Sequence, residues 1–120
     1  MAYILISDDS VAMRQMLKAA LSVENHQVVE ADDGLIALSL AKTQTFDLVI
    51  TDVNMPMLDG LSLVRELRSL ADYQFKPILV LTTESDPDKK KLAKAAGATG
   101  WLVKPFDPDK LLAAVKKVLG

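Results

Sequence analysis

Five short runs rich in aliphatic and β-branched residues punctuate the chain, at about Tyr3–Ser7, Gln27–Ala31, Leu48–Thr51, Pro77–Thr82 and Gly100–Val103. Between them lie helical patterns. Met13, Met16, Leu17, Ala20 and Leu21 recur at i, i+3, i+4, i+7 and i+8, which is one face of a helix. Leu63, Leu67, Leu70 and Ala71 repeat that spacing, as do Leu111, Val115, Val118 and Leu119. Gly34 to Lys42 and the alanine-rich Pro87–Ala96 complete the series. Asp86-Pro87 and Asp107-Pro108 each read as an N-cap acid with proline in the first helical position. Gly97 stands where a helix ends in the left-handed conformation. Strands alternating with helices require parallel pairing, right-handed crossovers and helices on both faces. The expectation is one (βα)5 domain over residues 1–120, an α/β doubly wound five-stranded parallel sheet.

Composition narrows what such a domain can do. The 120 residues contain no cysteine, which excludes disulfides, thiolate zinc sites and cysteine nucleophiles. His26 is the sole histidine and reads as a surface residue before the second strand. Apolar runs are strand-sized, so no membrane span is expected. Asp8 and Asp9 interrupt the N-terminal apolar stretch, which argues against a secretory leader and for the cytoplasm. Residues 1–60 carry 3 basic and 9 acidic side chains, whereas residues 61–120 carry 11 and 7. That segregation points to an acidic site in one region and a basic surface in another. The acidic pI and the lack of a basic stripe with aromatics argue against nucleic acid.

The chemistry sits at strand ends. Asp8-Asp9 close the first run, Asp52 closes FDLVITD, Thr82 ends the fourth run and Lys104-Pro105 closes the fifth. In an open α/β sheet, ligands bind beyond the carboxyl ends of the strands. Adjacent carboxylates repel unless a cation lies between them, and Asp8, Asp9 and Asp52 offer the hard oxygens magnesium prefers. Asn54 adds a backbone carbonyl, and Met55-Pro56 with Asp59-Gly60 makes a rigid turn. Taken alone, an Asp-Asp pair reads equally well as a helix N-cap. Lys104 is the discriminator, because an ammonium aimed at the carboxylates would stabilise a transferred phosphoryl group. The X-Pro bond after it can be cis. Met13, Met16, Met55 and Met57 read as core and loop packing, while Tyr73 and Phe75 receive no role.

The set Asp8-Asp9, Asp52, Thr82 and Lys104-Pro105-Phe106 resembles the receiver domain of two-component response regulators. The segments DDSVAMRQML, NMPMLDGL and VKPF most resemble single-domain chemotaxis regulators of the CheY type. The resemblance covers essentially the whole chain. It implies a flavodoxin-like fold with strand order 2-1-3-4-5 and no output domain. By the same resemblance, Asp52 is the phospho-acceptor that becomes 4-aspartylphosphate, and Lys104 and Thr82 bind the phosphoryl oxygens. Asp9, Asp52 and the Asn54 carbonyl would hold Mg²⁺, with Asp8 reaching it through water, and Mn²⁺ would substitute. Thr82 and Trp101 form the family's switch pair, Trp101 standing where tyrosine, phenylalanine or histidine is usual. Asn54 and Glu84 flank the site where the family tunes access of the hydrolytic water. The implied partners are a CheA-like sensor histidine kinase or a phosphotransfer protein, and a protein target on the face of the fourth helix, fifth strand and fifth helix. The chain is expected to be a monomer and not a turnover enzyme.

Three features depart from the family pattern. Ser7 precedes the acidic pair where an aliphatic residue is preferred, a change expected to affect packing and not chemistry. Trp101 is bulkier than usual. Lys89, Lys90, Lys91 and Lys94 load the fourth helix with more positive charge than motor binding suggests. Chemotaxis and flagellar motor control is the leading output, and a phosphorelay intermediate or other partner switch is the alternative. A magnesium-dependent aspartyl phosphatase would want an acid two residues after Asp52, where Asn54 stands. A flavin site would need a glycine- and hydroxyl-rich loop after the first strand, and DDSVAMR has the opposite charge.

Overall fold

The computed structural model describes residues 1–82 and 87–120. Its strands are β1 (Tyr3–Ser7), β2 (Gln27–Ala31), β3 (Leu48–Asp52), β4 (Ile78–Thr82) and β5 (Gly100–Val103). Its helices are α1 (Val11–Ser22), α2 (Gly34–Thr43), α3 (Gly60–Arg68), α4 (Pro87–Ala96) and α5 (Pro108–Leu119), with a 3-10 turn at Ala71–Tyr73. The strands form one parallel sheet in the order β2-β1-β3-β4-β5. This is the flavodoxin-like arrangement that the resemblance implied. The chain steps outward from β1 to β2, then returns to the other side of β1 and proceeds outward through β5. The reversal opens a crevice at the carboxyl ends of β1 and β3.

Residues alternate between two apolar layers. Leu5, Val49 and Val80 face Ala37 and Ala41 of α2, Leu63, Val64 and Leu67 of α3, and Ala93 of α4. Ile4, Ile6, Leu48, Ile50, Leu79 and Leu81 face Leu17 and Leu21 of α1 and Leu111 and Val115 of α5. Every residue of β3 and β4 is buried, as expected where helices cover both faces of a parallel strand. At about 25 cal/mol per Å² of apolar surface, burying any one of these leucines contributes roughly 2 kcal/mol.

Side-chain caps start the helices at the crevice end of the sheet. Ser10, Asp33, Asp59 and Asp107 accept from the backbone N–H groups of Met13, Ile36, Ser62 and Asp109. The Asp107-Pro108 reading therefore holds, whereas Asp86 lies outside the described residues, as does Glu84. Gly97 has φ 108° and ends α4, with the Ala98 N–H reaching back to the Ala93 carbonyl at 3.0 Å.

The folded chain corrects several local readings. Helix α3 stops at Arg68, so Leu70 and Ala71 leave the helical pattern. The Ser69 hydroxyl donates to the Glu66 carbonyl and Leu70 N–H bonds the Leu67 carbonyl at 3.0 Å, which tightens and closes the turn. Met16 is exposed, and so is Met57. His26 is half-buried, its Nδ1 accepting from the Ala2 N–H at 3.0 Å. Tyr73 is fully buried, its hydroxyl bonded to the Ala41 and Gln44 carbonyls and to the Phe46 N–H, so it closes the C-terminal end of α2.

Candidate functional site

Among the described residues, and apart from the saturated Tyr73 hydroxyl, the buried polar and charged side chains are Ser7, Asp8, Thr51, Asp52 and Thr82. All of them lie at the carboxyl ends of β1, β3 and β4, or immediately after. An apolar sheet that concentrates its buried polarity at one edge has a site there.

Asp8 is completely buried, whereas Asp9 is exposed. Lys104 Nζ lies 2.9 Å from Asp8 Oδ2 and 3.1 Å from Asp52 Oδ1. The ammonium reaches this position because its backbone N–H donates to the Thr82 carbonyl at 2.6 Å, carrying the β4–β5 pairing one residue past the strand. The Lys104–Pro105 peptide is cis. One cation thus serves two carboxylates. Burial alone would lower the pKa of Lys104, but its bonds to Asp8 and Asp52 outweigh burial and raise it. Burial raises the pKa of Asp52 and the like charge of Asp8 adds to this, while Lys104 opposes without cancelling it. Both directions follow from a shortage of positive charge.

Carboxylate oxygens of Asp8, Asp9 and Asp52 lie within 4.8 Å of one another. Hard oxygens at that spacing, with an uncompensated negative charge among them, fit a divalent cation such as magnesium. Asn54 follows Asp52 by two residues in an exposed position of the β3–α3 loop. That loop turns sharply. Gly60 N–H donates to the Val53 carbonyl at 2.8 Å, and a Cβ at Gly60 would lie 1.9 Å from the Asp52 carbonyl oxygen. Only glycine permits helix α3 to begin directly against Asp52.

Of the residues singled out from sequence, Asp8, Asp9, Asp52 and Lys104 converge. Thr82 is buried at the end of β4, whose Leu81 pairs with Asp52. Trp101 stands apart on β5, partly exposed, with Lys90 Nζ 5.7 Å from its ring centroid, a cation–π contact with α4. The pairing explains one of the lysines that made α4 look anomalous.

Other contributors were not foreseen. Ser10, not the Asp pair, caps α1, and its N–H donates to Asp8 Oδ1 at 2.9 Å. Arg14 donates from its guanidinium to the Asp8 carbonyl at 2.7 Å and to Glu30 at 3.3 Å, tying α1 and β2 to the acidic loop. Its position four residues after Ser10, one turn into the helix, is the signal that could have found it. Ser7 packs through a specific partner, its Oγ donating to Met55 Sδ at 3.0 Å beneath the loop.

Comparison with known proteins agrees with this geometry. The family described as response regulator receiver domain matches residues 4–116. The response regulator MprA of Mycobacterium sp. (strain KMS) is 41% identical over 116 residues, which are 97% of this chain and 50% of that protein. The chain therefore spans about half the length of that relative. The solved chemotaxis response regulator CheY4 of Vibrio cholerae is 47% identical, with a TM-score of 0.94 and 98% of each chain covered. The receiver domain of sensor histidine kinase PA1611 from Pseudomonas aeruginosa, solved with magnesium coordinated in its active-site cleft, is 28% identical, with a TM-score of 0.93 and coverage of 99% and 98%.

Proposed function

The chain belongs to the response regulator receiver domain family of two-component systems, and from that premise we propose that it is a phosphorylation-dependent switch with Asp52 as acceptor. One observation carries the reading: Asp52 is buried at a strand end, 3.1 Å from the Lys104 ammonium, with Asp8 and Asp9 beside it. In the reaction an Asp52 carboxylate oxygen attacks the phosphorus of a phosphohistidine. The new O–P bond forms as the N–P bond breaks, and the departing imidazole keeps the bonding pair. Lys104 meets the negative charge that the phosphoryl oxygens bring, and Thr82 offers them a hydroxyl. Asp9, Asp52 and the Asn54 carbonyl would hold Mg²⁺, or Mn²⁺ in its place, with Asp8 reaching it through water, and the cation would supply positive charge against the converging anions.

The donor is a sensor histidine kinase of the CheA type or a phosphotransfer protein. Output passes by protein docking on the face of α4, β5 and α5, where Trp101 and Lys90 lie, and its setting is chemotaxis in the cytoplasm, with the chain acting as a monomer. The 47% identity with the chemotaxis response regulator CheY4 supports the chemotaxis setting. A relay or partner switch outside chemotaxis is the second reading, supported by the similarity to a longer regulator of another name. An amide at Asn54 in place of a leaving-group acid favours a switch over a turnover phosphatase.

Incubation with labelled acetyl phosphate tests the proposal. The unaltered chain takes up one label only with Mg²⁺ or Mn²⁺ present, and Asp52→Asn takes up none. Equal label in the variant overturns the acceptor assignment.

A further inference from the structure

Ser7 and Thr51 occupy paired positions on β1 and β3, and both are fully buried. They follow Leu5 and Val49 by two residues, so they continue the sheet face that packs against α2 and α3. An aliphatic pair would extend that layer at no polar cost. Two hydroxyls there need acceptors, since an unpaired buried hydroxyl is destabilising. Thr51 has one at hand, the Asp52 carbonyl at 3.0 Å, and its Oγ1 lies 3.8 Å from Met55 Sδ. A hydroxyl has a single hydrogen, so the shorter contact claims the one on Thr51. Ser7 Oγ, at 3.0 Å from the same sulfur, is then the donor that engages Met55.

Met55 is the side chain by which the β3–α3 loop enters the core. It is buried, while its neighbours Asn54, Pro56 and Met57 are exposed. Met57 has φ 71°, so the loop holds an unfavourable backbone conformation right after this anchor. Asn54 directly precedes Met55, so the backbone that seats the thioether also carries the Asn54 carbonyl. Ser7 directly precedes Asp8, and Thr51 directly precedes Asp52. The Ser7–Met55 contact therefore ties the strand end that carries Asp8 to the loop that follows Asp52.

We infer that Ser7 is a positioning residue: by holding Met55 it fixes the Asn54 carbonyl and so sets the affinity of the site for a divalent cation. The inference rests on the receiver reading, which assigns that carbonyl to the metal. The contrary view is that Ser7 merely finds the nearest acceptor, in which case its loss alters stability alone.

The experiment uses the full chain, Ser7→Ala, Met55→Leu and the double variant. Magnesium alone is titrated calorimetrically, amide hydrogen exchange at Leu58 and Gly60 is followed without metal, and thermal midpoints are recorded. Each single variant should bind magnesium more weakly, on the order of tenfold, as when a group that orients a metal ligand is lost. The double variant should lose no more than the weaker single, and Gly60 should exchange faster in all three. Magnesium binding by Ser7→Ala that equals the unaltered chain's overturns the inference, as do losses that multiply in the double variant. An unaltered chain that binds no magnesium would instead defeat the metal reading, and the role given to Ser7 would fall with it.

Discussion

The two ends of the sheet treat buried polarity in opposite ways. At the amino end, the buried polar groups are neutral and saturated, and the one carboxylate beside them, Asp47, is only half-buried. Tyr73 Oη accepts from Phe46 N–H at 3.1 Å and shares its hydrogen between carbonyls of Ala41 and Gln44 at 2.9 and 2.8 Å. The Tyr3 ring stacks on Phe46 at 4.9 Å, the Tyr3 hydroxyl bonds the Gln44 amide oxygen, and Asp47 accepts from Tyr3 N–H at 2.8 Å. At the carboxyl end, two buried carboxylates share one ammonium. The first arrangement is complete as it stands. The second is short of positive charge, which is a sound design only if a ligand brings more.

The contrast breaks most visibly at Lys104. Lys104→Met leaves Asp8 and Asp52 buried without a counter-charge, and should cost about 3 kcal/mol in urea unfolding without metal. Saturating Mg²⁺ should recover part of that loss. If the cost is the same with and without metal, the site is not short of cations and the comparison fails.

Tyr73→Phe probes the other end. It orphans an N–H and two carbonyls, and should destabilise by about 1–3 kcal/mol while leaving phosphorylation of Asp52 unchanged. Burial raises the pKa of the Tyr73 phenol, so the folded chain keeps that proton to higher pH than the unfolded chain does. Its contribution is therefore constant below the ordinary value of 10.0 and declines as pH rises through the folded value. Urea titrations across alkaline pH should show a decline that Tyr73→Phe removes.

Asp52→Asn should have a smaller effect of the opposite sign. Because burial, helped by Asp8, raises its pKa, Asp52 binds its proton more tightly in the folded chain than in the unfolded one. Its stabilising contribution is full below the ordinary 3.8 and is lost as pH rises through the folded value. Ionised Asp52 is thus a net burden at neutral pH in metal-free protein. Asparagine should raise the thermal midpoint by a few degrees there, with the gain shrinking as pH approaches 4. A lowered midpoint at pH 7 would mean that the ion pair with Lys104 outweighs the burial of charge.

The weakest readout is the emission of Trp101, the only tryptophan. Val53 and not an indole follows Asp52, so Mg²⁺ alone should change the emission little. Beryllofluoride with Mg²⁺, as a phosphoryl mimic, should shift it clearly, and Thr82→Ala should weaken that second response. No shift in the presence of bound beryllofluoride would remove Trp101 from the path between Asp52 and the α4–β5–α5 face.

The strand ends carrying Asp8, Asp52 and Thr82 were legible because a parallel strand buried on both faces writes itself as an unbroken apolar run, and Lys104 closes a shorter one on the edge strand β5. A charged or hydroxyl residue closing such a run stands out. Helix periodicity was equally plain in α1 and α5. It misled at α3, where Leu70 and Ala71 continue the pattern although Arg68 ends the helix. The guanidinium of Arg68 reaches instead to carbonyls of Tyr73, Lys76 and Gly97, and no spacing rule encodes that capture.

Residue order alone thus settled the alternation of elements, the acidic pair, the strand-end Asp52 and the lysine, since each depends on near neighbours and on burial that apolar runs report. Which strands touch was beyond it, because pairing joins segments as distant as Ser7 and Thr51, and periodicity is blind to partners. Folding also divided the labour between Asp8 and Asp9, burying the first against Lys104 and leaving the second exposed. It placed Ser7 under Met55 and Arg14 on the Asp8 carbonyl. Those contacts arise only when three strand ends and two loops meet at one edge, where the charge of each side chain is set by groups far away in the chain.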